Sequence, residues 1–257
     1  MSIVNSFAPA PVEDLSACYG PEPYDINFSL PIQNHLELLE SDRVKLIPLI
    51  PRLHANLVVE QLTKAPEVLR WLPSRPTTLE DFLPFVERKF RRNPANILFL
   101  VLDKGRPDPA HPDLAGGIAG FISLIDTDPA RMKTEIGWVV ILPAFQRTYV
   151  TTHANGLLLR VCLELPDNGG LGLRRVQWCT HELNAKSAAA AQRLGFKMEG
   201  TLRWTTVLPE GMEGSGAQPR QGDPMEKNPG RGSVTLSMCW DTWEDGGRDH
   251  VHKLMER

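Results

Sequence analysis

The stretch that decides the architecture is "TEIGWVVILPAFQRTYVTTHANGLLLRVCLEL", Thr134 to Leu165. It opens on a run of β-branched and aromatic residues, Thr134 to Leu142, whose composition predicts a strand. Pro143 ends that run. Past it, Ala154, Leu157, Leu158, Val161, Cys162 and Leu165 recur at i, i+3, i+4, i+7, i+8 and i+11, the spacing of one face of a helix. A strand, a tight turn and a helix in this order can present backbone N–H groups to an anion at the helix N-terminus. Such turns usually carry glycines, because glycine reaches φ > 0 and lets the backbone come close to phosphate. Here Arg147, Thr148, Tyr149, Val150 and Thr151 stand in the turn instead.

Upstream, "DRVKLIPLI" (Asp42 to Ile50) predicts a first strand. "PRLHANLVVEQLTKAPEVLRWLP" carries helical spacing broken at Pro66. "TTLEDFLPFVERKFRRN" predicts a second helix with Thr78 as N-cap, Glu80 and Asp81 in its first turn, Pro84 tolerated, and "RKFRRN" as a solvated helix end. "NILFLVLDKG" and "GGIAGFISLIDTD" are strands joined by a turn-rich loop. Downstream, "RRVQWCTHEL" is a strand, and "NAKSAAAAQRLGF" a helix with Asn184 as N-cap and Gly195 as its stop. "EGTLRWTTVLP" and "SVTLSMCWDTWE" predict two closing strands. The order β-α-α-β-β-β-α-β-α-β-β reads as a mixed α/β sheet of about seven strands flanked by about four helices, with parallel strands across the later helices. Residues 1–40 form a proline-rich arm before a single domain, 41–257. Within that domain, 209–232 reads as a flexible loop, since ten of its 24 residues are Gly or Pro.

A length of 257 residues and 42% hydrophobic content suit one sizeable core. A net charge of -3 argues against nucleic acid or an anionic membrane as partner. No apolar run approaches the ~18 residues of a membrane span. Cys18, Cys162, Cys179 and Cys239 form no CxxC pair, so neither a zinc site nor a disulfide framework is expected. No signal-like start is present, and a reduced, cytoplasmic setting is the expectation.

Taken in order, Glu135-Ile136-Gly137-Trp138, Pro143, Asn184, Ser187, Arg193-Leu194-Gly195-Phe196 and Glu199-Gly200 resemble the Gcn5-related N-acetyltransferases (GNAT), and among them the RimJ/RimL branch. The resemblance spans roughly Asp42 to Trp243. It implies the GNAT fold, acetyl-CoA as cosubstrate, and transfer of an acetyl group to an amine, whether a small molecule, an amino acid or a protein N-terminus. It implies no metal, and a monomer or homodimer is expected. The chain departs from the branch at Arg147 and Tyr149, where the loop glycines stand, at His153, often Glu, and at Ala191, where the family's frequent tyrosine acid falls. Family members bind the pantetheine arm at a bulge ending the fourth strand, which assigns Val139, Val140 and Ile141 to that role. The turn Gln146, Arg147, Thr148, Tyr149, Val150, Thr151 and Thr152 is assigned to the pyrophosphate, the alternative being that Thr151 or Thr152 merely caps the helix and no cofactor binds; Asn184 is assigned to a cofactor contact, a cap or both. His153 reads as a surface residue.

Acetyl transfer to an amine needs a proton acceptor, a polarised carbonyl, alignment of the reactants and a stabilised leaving thiolate. Glu135 is the candidate base. Alternation puts it on one face with Gly137 and Val139, opposite Ile136, Trp138 and Val140. Its other reading is an ion-pair partner for Lys133. His181, after Arg175, Gln177 and Cys179 on the next strand, is a second base candidate with a suitable ordinary pKa. Ser187, three residues past its N-cap, is the candidate acid or an ordinary capping neighbour. The alternative function is a degenerate GNAT-fold protein that binds acyl-CoA or a partner without turnover.

Overall fold

The computed structural model describes residues 3–6 and 14–257; the start of the proline-rich arm, residues 1–2 and 7–13, lies outside the described residues. Seven strands form one sheet. They are β1 (Val44–Pro48), β2 (Ile97–Asp103), β3 (Gly117–Asp128), β4 (Lys133–Ile141), β5 (Arg175–His181), β6 (Lys197–Val207) and β7 (Gly230–Cys239). Their order is β1-β2-β3-β4-β5-β7-β6. Every neighbouring pair is antiparallel except β4 and β5. This mixed seven-stranded sheet with flanking helices is the GNAT fold.

Helices α1 (Pro51–Lys64) and α2 (Leu79–Val86) cover one face of the sheet. They pack Ala55, Val58, Leu62, Phe82, Leu83 and Val86 against Leu98, Leu100, Phe121, Ile125, Trp138 and Val140. Helices α3 (Tyr149–Leu163) and α4 (Ala185–Arg193) cover the other. There Val150, Leu157, Leu158 and Ala191 meet Ile136, Val176, Trp178, Leu236 and Met238. Three helices start on side-chain caps, and α3 does so at Thr148 rather than at Thr151 or Thr152. The Thr78 hydroxyl accepts the Asp81 N–H, the Thr148 hydroxyl the Val150 N–H, and the Asn184 amide oxygen the Ser187 N–H.

Three expectations are corrected. The second helix does not run regularly to Asn93. It ends at Val86 and continues as a wide turn, Glu87–Arg91, in which buried Glu87 pairs with Arg91 and Arg92. The basic run is thus partly committed to an ion-pair cluster, because a buried carboxylate needs cationic partners. The last strand ends at Cys239 rather than Glu244. It is followed by one helical turn, α5 (Trp240–Thr242), and by α6 (Arg248–Met255), which docks on α3. Trp243 is fully buried and donates to Glu164, whose carboxylate also takes two N–H groups of Arg248. Finally, His153 is buried rather than on the surface, with Nδ1 2.9 Å from the Ser41 hydroxyl. In the arm, Cys18 is buried in the core beside α1 and α2, and Ile32 and Leu39 in the core beside α3.

Candidate active site

Strands β4 and β5 pair only through Lys133↔Arg175, Thr134↔Val176 and Glu135↔Gln177. Beyond Glu135 the two parallel strands separate, and the upper part of β4 has no ladder partner on that side. A bulge lies in this upper part. Between Phe121↔Val140 and Ser123↔Gly137 the β4 strand has one residue more than β3, and Trp138 takes φ 49°. The bulge corrects the alternation read from sequence. Trp138 and Val140 fall in the core beneath α1 and α2, while Val139 packs with Ile136 and Ile141 beneath α3. The extra residue reverses the face of everything after it. Gly120, opposite Ile141, makes the bulge possible. Its φ is +147°, and a Cβ there would stand 1.9 Å from the Val140 carbonyl oxygen.

The turn ahead of α3 solves the glycine problem in two ways. Arg147 itself takes the left-handed conformation, φ 60°. Tyr149 sits in ordinary helical backbone as the first residue of α3. Its side chain leaves the turn and donates to Asp103 Oδ1 at 2.6 Å. Gly105 makes room for it, since a Cβ there would lie 2.6 Å from the Tyr149 hydroxyl. Arg43 stacks on the Tyr149 ring, and Arg106 on Phe145 of the same turn. Neither arginine was legible as a neighbour of the turn, because both lie on segments far away in sequence.

The turn's side chains are mostly occupied. The Gln146 amide donates to the Ile141 carbonyl at 2.9 Å, and the Thr148 hydroxyl donates to Phe145 and caps α3. Val150 and Thr152 are buried, so their side chains face the interior. By helical geometry the Thr152 N–H is taken by the Thr148 carbonyl, leaving the Thr148, Tyr149, Val150 and Thr151 N–H groups outside the helical ladder. Arg147 is exposed and makes no hydrogen bond or ion pair among the described residues. An anion would therefore meet backbone N–H groups, the positive end of α3 and one free guanidinium.

At the foot of the split, Glu135 is 7% exposed. Gln177 Nε2 donates to its Oε2 at 3.0 Å and also reaches the Cys179 sulfur at 3.2 Å. Burial pushes the Glu135 pKa above the ordinary carboxylate value, against the pull of the polar side chains around it. Cys179 is itself pushed up to about 12 by burial and by the Glu135 charge. Glu135 makes no ion pair with Lys133, so that alternative reading is corrected: its partners come from β5.

His181 is 2% exposed. Its Nδ1 accepts the Leu183 N–H at 3.1 Å, which places the proton on Nε2, 3.3 Å from the Glu213 carbonyl. Its ring packs against Trp71, centroids 4.9 Å apart. Burial and the Arg231 charge lower its pKa. Glu213 belongs to the Gly/Pro-rich segment, and its carboxylate takes both N–H groups of a bidentate Arg70. That segment also joins β7, through Ser215 N to the Gly230 carbonyl and Gly232 N to the Ser215 hydroxyl. On α4, the Ser187 Oγ accepts the Trp178 indole N–H at 3.0 Å. Arg231, Trp71, Gln177 and Cys179 had no functional reading from sequence. The first lies inside the segment whose composition reads as loop, although β7 begins at Gly230.

Residues 43–197 match the Acetyltransferase (GNAT) domain, and the chain belongs to this family. Solved structures share the fold. A GCN5-related N-acetyltransferase from Brucella melitensis is 24% identical, with a TM-score of 0.66 and 84% of each chain covered. A probable acetyltransferase of the GNAT family from Chromobacterium violaceum is 26% identical, with a TM-score of 0.63, covering 80% of this chain and 87% of that one. RimJ of Mycobacterium smegmatis, in complex with CoA-disulfide, is 16% identical with a TM-score of 0.57, covering 82% and 88%. No curated protein matches the chain. The family is therefore established. Among the described residues no helix is long and apolar enough to cross a membrane.

Proposed function

We propose that this chain is an acetyl-CoA-dependent N-acetyltransferase, with the pantetheine arm between β4 and β5 and the pyrophosphate at the N-terminus of α3. The observation that carries the reading is the split of the parallel pair β4 and β5 immediately past Glu135. It leaves backbone N–H and C=O groups of β4 unpaired beside a buried carboxylate, below a helix N-terminus with donors to spare. The chemistry of this donor set fits acetyl-CoA: amide groups of the arm can complete the open ladder, and phosphate suits the α3 turn. The fold neighbour bound to CoA-disulfide supports the same cosubstrate class.

In this reading Glu135 accepts the proton of the incoming ammonium, directly or through one water. A carboxylate whose pKa is raised by burial is a better base near neutrality than an exposed one. The freed amine forms a C–N bond at the thioester carbonyl, the C–S bond breaks, and CoA leaves as a thiolate. Ser187 gives its hydrogen to that sulfur and is reprotonated by the second proton, which the nitrogen sheds as the amide forms. The Trp178 N–H occupies its oxygen as acceptor, which leaves the hydroxyl hydrogen free to be given. His181 has both ring nitrogens engaged and acts as a strut between β5 and the Glu213 segment, so the base is assigned to Glu135. Asn184 serves as cap of α4. The acceptor enters from the side of Trp71, His181 and Arg231. A cytoplasmic location belongs to the same reading.

The test has two parts. Acetyl-CoA is expected to raise Tm, because it binds the native state alone. An amine panel is expected to release CoA thiol. A Tm shift with no thiol release from any amine would favour an acyl-CoA-binding protein without turnover.

A further inference from the structure

Arg231 is the second residue of β7 and is 9% exposed. Its guanidinium lacks the partners such a group requires. Nη1 reaches only the Trp71 carbonyl, at a long 3.4 Å, and Nε is buried with no partner. Among the described residues it forms no ion pair. Arg70, which stacks on the Trp71 ring, is already used by Glu213. An arginine cannot shed its charge to relieve burial, as histidine or lysine can. A buried, half-satisfied guanidinium therefore costs stability unless something completes it.

The surroundings point to what completes it. Arg231 Nη1 meets the Trp71 carbonyl, the Trp71 ring packs on His181, and His181 shares β5 with Gln177, the partner of Glu135, so the guanidinium sits beside the strand that holds the candidate base. Trp71 and His181 supply an aromatic wall beside it. Glu135 does not pair with it, so the carboxylate that fits its planar fork must come from outside the described chain. One unshared cation matches a monoanionic carboxylate better than a phosphate dianion, which would call for more donors. We propose that Arg231 binds a carboxylate on the acceptor, so that the acceptors are small amines carrying a carboxylate, their nitrogen at Glu135 and their carboxylate at Arg231. This rests on the acetyl-transfer reading of the site.

The experiment compares L-amino acids with their α-carboxamides in thiol release, in the wild type and in Arg231→Gln. Asparagine and glutamine set beside aspartate and glutamate separate an α-carboxylate from one on the side chain. The wild type is expected to show a KM at least tenfold lower for the carboxylate-bearing member of a pair. Arg231→Gln is expected to collapse that ratio by raising the KM of that member. Equal KM values in the wild type, or a ratio unchanged in the variant, would overturn the proposal. Arg231→Lys, which keeps the charge but not the fork, is expected to recover part of the ratio, and it guards against a variant that fails to fold. A second readout needs no turnover: N-acetylglycine, N-acetyl-L-leucine or N-acetyl-L-glutamate is expected to raise Tm in the wild type and not in Arg231→Gln. If that shift appears while no amine is acetylated, the carboxylate site stands and the transferase reading falls. If neutral amines are acetylated and none of these probes shifts Tm, the carboxylate site falls alone.

Discussion

At Glu135, burial of a carboxylate sets its charge against the stability of the fold. Its folded-state pKa is raised, so folding favours the protonated form. In the unfolded chain the carboxyl titrates near 4.5. As pH rises from that value through the folded one, the native state must carry a buried negative charge and loses stability relative to a neutral side chain. Glu135→Gln is therefore expected to raise Tm at neutral pH, with the gain shrinking as pH falls toward the ordinary carboxylate value. Thermal melts of both proteins across pH 4 to 8 check this; a gain that does not change with pH would mean Glu135 is not the buried titrating group. Arg147 offers the complementary case. A non-glycine residue in the left-handed region costs roughly 1–2 kcal/mol. Arg147→Gly is expected to stabilise the fold by about 1 kcal/mol while weakening acetyl-CoA roughly tenfold, the order of one charge-assisted hydrogen bond. The binding loss should shrink at high salt, through screening. Urea unfolding and calorimetric titration at two salt concentrations read the two effects separately.

Among the elements, the β4 bulge and the α3 turn form one device. The bulge carries the upper half of β4 away from β5, and Pro143 and the turn bring α3 back over the open edge. Gly120 is its weakest point, since any side chain there meets the Val140 carbonyl. Gly120→Ala is expected to cost about 2–3 kcal/mol, the range for strained backbone at a fixed site. It should also weaken acetyl-CoA, because the β4 N–H groups would move. Unfolding with normal acetyl-CoA affinity would place the pantetheine arm elsewhere. The helices were legible because caps and periodicity coincide: Thr78 and Asn184 stand where a helix begins, whereas α3 is capped by Thr148 and not by Thr151 or Thr152. The bulge was legible only through the family resemblance. Alternation in "EIGWVVI" gives no sign of an extra residue, so Trp138 and Val139 were read onto the wrong faces. The Tyr149 solution was hidden for another reason. Its partners Asp103 and Gly105 lie at and just past the end of β2, more than 40 positions away.

At the scale of the molecule, one sheet carries two helical layers and leaves its β5–β7 region to polar residues. Gln177, Cys179, His181, Ser233, Thr235 and Ser237 alternate with the core residues Val176, Trp178, Leu236 and Met238. The closing helix α6 and the Trp243–Glu164–Arg248 cluster brace α3 from its far end. Trp243→Ala is expected to destabilise the protein by about 3–5 kcal/mol, measured by urea unfolding. A cost below ~1 kcal/mol would mean the C-terminal segment is not part of the cooperative core. Element order and the mixed sheet were legible from pattern alone. Of the candidate site, local sequence and the family resemblance singled out Glu135, His181, Ser187 and the turn. Arg231 and Trp71 meet through pairings distant in sequence. The measurement that tests the central claim most directly is the pH dependence of kcat/KM for thiol release in the wild type and in Glu135→Gln. The wild type is expected to rise with pH through an apparent pKa above the ordinary carboxylate value. The variant is expected to lose that limb and roughly 10²-fold in kcat, with acetyl-CoA affinity unchanged. Full activity of Glu135→Gln at every pH would contradict the account.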